Sequence, residues 1–177
     1  LIKRYCWLGG IDLEMVHIKI RPLKIEDFEF VLNWSKDTNF CLANGWELNR
    51  DEKELYKWWI NCVQNSSIDF LRLGIEFNNK LIGYADLACI KEYTAEFGIA
   101  IGESKLWGEG IGFRATKLML AYAMTELGIT VFHAETHDHN FRSRKMLEKI
   151  GFKEISRNGV ERYLETVCCL IQYRYSS

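Results

Sequence analysis

Proline is almost missing from this chain: Pro22 is the only one among 177 residues. No Ser- or Gly-rich linker interrupts it either, so nothing marks a boundary between two domains. A disulfide scaffold is also excluded. The six cysteines, at 6, 41, 62, 89, 168 and 169, include no C-x-x-C pair. Cys168 and Cys169 are adjacent, which on a strand points their side chains to opposite faces. This scatter reads as small buried hydrophobes in a reducing compartment. An excess of one charge is lacking as well. The formal net charge is -1 with both signs mixed, whereas a protein tracking phosphates along a nucleic acid carries a basic surplus. No apolar run is long enough to span a bilayer, and the opening LIKRYCWLGGIDLE is too short in apolar residues for a signal peptide. Together these absences predict a cytoplasmic protein with neither nucleic acid nor membrane among its partners.

What is present suits one compact domain with a sizeable core: 48% of residues are hydrophobic and 14% aromatic. The folded pattern begins after Met15, so residues 1–14 read as an N-terminal extension outside the core and 15–177 as a single domain. Residues 16–21 alternate as VHIKIR and stop at Pro22, a strand. Residues 24–34 read as a short amphipathic helix. A second helix opens at Asp51, with Leu55, Trp58, Trp59, Cys62 and Val63 on one stripe. Residues 36–50 between them read as irregular. Three strands follow, over 68–77, 80–90 and 94–101, as an antiparallel meander turning at Asn78-Asn79. A helix stops at Gly128, a strand covers 129–136, and a helix over 141–150 stops at Gly151. Two closing strands, 152–157 and 161–173, are joined at Asn158-Gly159. The order predicts α+β architecture: a central mixed, mostly antiparallel sheet flanked by helices.

The most informative stretch is LWGEGIGFRATKLMLAYAMTELG, where Gly108, Gly110 and Gly112 directly precede a long apolar helix. The spacing is neither a Rossmann fingerprint nor a Walker loop, since Phe113 and Arg114 follow Gly112. Two readings remain: a tight turn into the helix, or bare backbone held open for an anion. The first amides of a helix lack partners within it, and glycines let a phosphate approach them.

The sequence resembles the GNAT superfamily of acetyl-CoA-dependent N-acetyltransferases. Trp107-Gly108-Glu109-Gly110-Ile111-Gly112 matches that family's Q/R-x-x-G-x-G/A signature except at its first position. The W-G-x-G departure resembles the ribosomal-protein N-terminal (alanine/serine) acetyltransferase branch. Ile20-Arg21-Pro22-Leu23 with Asp27 extends the match, as does Asn140-x-x-Ser143 followed by Glu148-Lys149-Ile150-Gly151-Phe152. The resemblance runs from residue 16 to about 173 and implies the acyl-CoA N-acyltransferase (GNAT) fold, with acetyl-CoA as co-substrate and no metal. It further implies that the amides of the loop from Trp107 to Phe113 hold the coenzyme A pyrophosphate. By the same resemblance, backbone at Ile99, Ala100 and Ile101, on a bulged strand, is expected to pair with the pantetheine arm, with Asn140 and Ser143 facing it.

Acetyl transfer needs a proton sink for the amine, donors for the oxyanion and an acid for the departing thiolate. Alternation over 94–101 puts Phe97, Ile99 and Ile101 on one face and Glu96, Gly98, Ala100 and Gly102 on the other. Glu96 above small residues suggests a sink beside an open floor; the alternative is a solvated carboxylate beside residues kept small for a packed helix. The family's tyrosine acid is replaced here by Leu147, and the branch resemblance assigns that job to Ser143. Asn140 and Ser143 also read simply as a helix N-cap and a first-turn residue. Arg114 could reach a coenzyme phosphate or stay exposed. His133, His137 and His139 invite a zinc reading, but strand-end histidines are commonly plain polar residues and no cysteine pair lies near in sequence. The expected acceptor is a primary amine, a protein N-terminus by the branch resemblance, with a polyamine, aminoglycoside or amino acid as the alternative. Residues 36–50 and the hairpin near Asn158-Gly159 are expected to line its site. A non-catalytic coenzyme A-binding module is the rival from another class. The apolar final strand leaves a homodimer open.

Overall fold

The computed structural model describes residues 18–64 and 67–177, so the expected extension over 1–14 lies outside the described residues. Strand β1 (Ile18–Arg21) leads through Pro22 and a 3-10 turn (Ile25–Asp27) into helix α1 (Phe28–Trp34). Arg21 fixes this corner. It donates to both Asp27 carboxylate oxygens at 2.7 and 2.8 Å and to Glu76 at 2.7 Å. The segment expected to be irregular contains a further helix, α2 (Thr38–Asn44), started by an Asp37 side chain that accepts from the Phe40 amide and ended by Gly45 at φ 62°. Helix α3 (Glu52–Gln64) buries Leu55 and Trp59 from the expected stripe.

The meander forms as β2 (Leu71–Phe77), β3 (Lys80–Lys91) and β4 (Thr94–Ile101), followed by α4 (Ile111–Glu126), β5 (Val131–His137) and α5 (Phe141–Ile150). The closing pair differs from expectation: β6 (Lys153–Tyr163) and β7 (Thr166–Ser176) turn at Leu164-Glu165, whose φ values are 49° and 65°. Asn158-Gly159 lies inside β6, where the pairing with β7 shifts register between Arg157 and Val160. Gly159 takes φ 95° there and sits against the Leu170 side chain. The turn-like dipeptide therefore makes a bulge.

Among the described residues seven strands are ordered β1-β2-β3-β4-β5-β7-β6, antiparallel except for β4 beside β5. The apolar final strand is thus interior, which accounts for its composition without a second subunit. The main core lies between the sheet and helices α4 and α5, and includes Phe97, Met119, Phe132 and Leu147. A second core, with Trp34, Phe40, Trp59 and Ala100, packs α1, α2 and α3 on the other face of the sheet's first half. On that face β5 carries His133, Glu135 and His137, which alternate with the buried residues Phe132, Ala134 and Thr136.

The parallel pairing sets up the site. It joins β4 to β5 over three positions only, Thr94 to Glu96 against Val131 to His133. Beyond Glu96 the ladder between these two strands stops, and a wedge opens in the middle of the sheet.

Candidate active site

Helix α4 begins beside this wedge. Its N-cap is Gly110, which has no side chain to cap with, and the first amide bonded within the helix is that of Arg114, to the Gly110 carbonyl at 3.2 Å. The amides of Ile111, Gly112 and Phe113 come before that bond and are donors the helix does not use. Gly108 and Gly110 take φ 92° and 74°, and a side chain on either would meet nothing within 4 Å. They serve the backbone turn and leave the space in front of it open. Gly112 differs: a Cβ there would lie 3.2 Å from Met146 Sδ of α5, so its smallness also serves helix packing.

A cleft of about 390 Å³ lies over these amides. Ile99, Ala100 and Ile101 line it from β4, and Trp107, Gly108, Gly110, Ile111, Gly112 and Phe113 from the loop and α4. Asn140 and Ser143 line it from α5, and Ala43 and Asn44 from α2. Trp107 is an anchor. Its Nε1 donates to the Ile101 carbonyl at 2.8 Å, and the Arg142 guanidinium stacks 4.2 Å from its ring centroid. Arg142 and Lys145 bring two cations to the same lining, so an anion there meets both free amides and positive side chains.

A second cavity, about 210 Å³, fills the wedge and shares Ile99, Asn140, Ser143 and Met146 with the first. Gly98 floors it, with only Asp86 Cβ, at 3.8 Å, near where a side chain would begin. Glu135, His137 and Glu161 also line it. The two spaces meet at Ser143. An elongated ligand with an anionic end on α4 can therefore place its other end in the sheet.

Residues 17–153 match the family described as acetyltransferase (GNAT) domain. The chain belongs to the GNAT family. Among its relatives, alpha/beta-tubulin-N-acetyltransferase 9 of Homo sapiens is 34% identical over 160 residues, 87% of this chain and 67% of that protein. An uncharacterized Methanocaldococcus jannaschii protein is 27% identical over 92% of this chain, which spans only 33% of that relative's length. The fold is shared with the Vibrio cholerae spermidine N-acetyltransferase in its complex with CoA and spermine. There the TM-score is 0.74 at 21% identity, covering 90% of this chain and 95% of that one.

In this GNAT domain Asn140 caps α5 as expected, its Oδ1 accepting from the Ser143 amide at 3.2 Å, and both residues still line the cleft. Glu96 is exposed, on the open face beside Cys89, whose thiol its charge pushes up. Neither Glu96 nor Glu109 is among the lining residues of either cavity. At Gly102 the packing alternative holds, because a Cβ would lie 2.2 Å from the Trp34 ring. The expected bulge at Ile99 to Ile101 is not there. Those residues pair regularly with Gly83, Tyr84 and Ala85, and the register shift lies instead between Ala88 and Lys91 of β3. Backbone at Ile99 to Ile101 is left without a β5 partner because the strands splay apart.

Arg114 is exposed and turns back to the Glu109 carbonyl at 3.3 Å. The cleft's cations come from α5 instead, and the sequence offered no signal for them beyond a basic first turn. From the closing hairpin, Glu161 and Tyr163 reach the cavities while Asn158 and Gly159 do not. His139 gathers with Asp138 and Cys168, not with His133 and His137, the three donor atoms lying within 4.8 Å of one another. Burial pushes the Cys168 thiol up, with Asp138 adding in the same direction. The sulfur is therefore held as a protonated thiol next to a carboxylate. No helix among the described residues is long and apolar enough to cross a membrane.

Proposed function

We propose that this domain is a cytoplasmic acetyltransferase that moves the acetyl group of acetyl-CoA to a primary amine, and that the amine is a protein N-terminus. One observation carries the reading. The unused amides of Ile111, Gly112 and Phe113 open on a cleft that continues past Ser143 into the sheet. The pyrophosphate docks on those amides, with Arg142 and Lys145 beside it. The pantetheine arm runs along the unpaired side of β4 from Ile101 to Ile99, and the thioester reaches the wedge. Ser143 stands where it can pass a proton to the departing sulfur.

The acceptor enters from the face carrying Gly98 and Glu135, where only Asp86 Cβ, at 3.8 Å, approaches the glycine floor. That openness suits the end of a peptide, and the human relative's name describes a protein acceptor. The Trp107-Gly108-Glu109-Gly110 stretch adds the resemblance to the ribosomal-protein branch. A polyamine is the second reading, favoured by the carboxylates of Glu135 and Glu161 in the wedge.

The deciding experiment follows coenzyme A thiol release with a panel of N-terminal peptides, polyamines, aminoglycosides and amino acids. Peptide turnover that falls about 100-fold or more in Ser143→Ala, with acetyl-CoA affinity retained, supports the proposal. Turnover confined to polyamines selects the second reading. Acetyl-CoA binding without release to any amine identifies a coenzyme-binding module instead.

A further inference from the structure

His137 ends β5 and lines the wedge together with Gly98, Ser143 and Glu161. Its Nε2 lies 3.3 Å from a Glu161 carboxylate oxygen. Its ring stacks on Tyr163, with centroids 4.7 Å apart and planes 17° from parallel. A solvated strand-end histidine needs neither contact. Here β6 holds the imidazole by edge and by face, in the space that also holds the proposed acid. Glu96 has no such position, being absent from the lining of both cavities.

We infer that His137 is the proton acceptor of the transfer and that Glu161 is a positioning residue that selects its tautomer; the inference rests on the acetyl-transfer reading above. With Glu161 accepting from Nε2–H, Nδ1 is left with a lone pair and acts as the base. The incoming ammonium gives one proton to Nδ1 and becomes a neutral amine. Its nitrogen forms the bond to the thioester carbon, and collapse of the tetrahedral adduct breaks the carbon–sulfur bond. Ser143 Oγ gives its proton to the sulfur and takes the second one from nitrogen. The products are the amide, coenzyme A thiol and an imidazolium that discharges to solvent.

The charged and titratable groups facing His137 are Glu161 and Tyr163 from β6 and Glu135 from its own strand. Gln172 of β7 donates to Glu135 at 2.6 Å, and Arg142 of α5 approaches the Tyr163 hydroxyl. No lysine or arginine is among the wedge's lining residues. A proton arriving on the imidazole therefore meets the Glu161 carboxylate at 3.3 Å, with Glu135 in the same lining.

The test measures kcat against pH at saturating acetyl-CoA and acceptor, with acetyl-CoA affinity from calorimetry. His137→Gln should lower kcat by about 100-fold or more and remove its acid-side fall while coenzyme affinity stays unchanged. Glu161→Gln should lower kcat on the order of tenfold, as loss of a group orienting another does. Because Glu161 is an exposed side chain, that variant folds. Free imidazole should restore part of the rate of His137→Ala, a rescue that a merely structural role would not give. An active wild type whose His137→Gln variant keeps its rate and pH profile overturns the dyad alone. So does Glu96→Gln losing the acid-side fall in its place. A wild type that binds acetyl-CoA and acetylates no amine overturns the acetyl-transfer reading, and the dyad with it.

Discussion

Gly110 and Gly112 are two positions apart and answer to different forces. At Gly110 the backbone is left-handed and the surroundings are empty; at Gly112 the backbone is helical and Met146 is close. Gly110→Ala is therefore expected to cost about 1–2 kcal/mol from conformation alone, with no clash to relieve. It should also weaken acetyl-CoA by disturbing the amides that follow. Gly112→Ala presses on a flexible methionine tip, so its cost in urea unfolding should stay under about 1 kcal/mol. Equal losses at both positions would show that packing, not φ, governs the loop. The sequence made the glycine loop and the Asn140 cap visible because both signals are local. Trp107 could not be read that way. Its partners are a carbonyl six residues back and a guanidinium from another helix, and only the fold brings them together. His137 drew only a zinc reading from the sequence for the same reason, since its contacts with Glu161 and Tyr163 come from across the sheet.

Among the elements, boundaries set by caps and glycine stops followed expectation, as at both ends of α5. The failures were places where a local signal competed with pairing. Asn158-Gly159 is the stronger turn dipeptide, yet β7 continues opposite it and the reversal falls at Leu164-Glu165. Those two residues hold positive φ without the residue types that favour it. Replacing them by Asn-Gly should stabilise the hairpin by about 1 kcal/mol and raise Tm by roughly 2–4 °C. A fall in Tm would mean that the Leu164 side chain contributes more than its backbone costs. Helix α2 went unread because seven residues in a polar-aromatic stretch carry too little periodicity.

The first strand pair yields a prediction in pH. The Arg21 hydrogen bond holds the Glu76 carboxyl below its ordinary value of 4.5, against the opposing effect of burial. A carboxyl depressed in the folded state stabilises the fold above its unfolded value, and that contribution is lost as pH falls through the folded one. Stability should thus fall on acidification below about pH 4.5, and Glu76→Gln should flatten the decline. An unchanged slope in the variant would remove the pair from the acid response.

At the scale of the whole molecule the sheet has two halves, β1 to β4 and β5 to β6, whose ladders connect through three residue pairs between β4 and β5. Helices α4 and α5 pack together across the main core that both halves share. A ligand reaching from the start of α4 to Ser143 on α5 adds contacts across the same gap. Acetyl-CoA at 100 times its Kd should stabilise the domain by about 2.7 kcal/mol, a rise in Tm of roughly 5–11 °C for a chain of this size. The location of the effect matters more than its size. The amides of Ile111, Gly112 and Phe113 have no partner in their own helix, so their hydrogen exchange should be fast without ligand and slow strongly with it. Protection should extend along Ile99 to Ile101, where β4 lacks a neighbour on its β5 side, and be small in β1 and β2. A rise in Tm with those three amides still exchanging freely would place the coenzyme elsewhere on the molecule, and the wedge would lose its claim to the thioester.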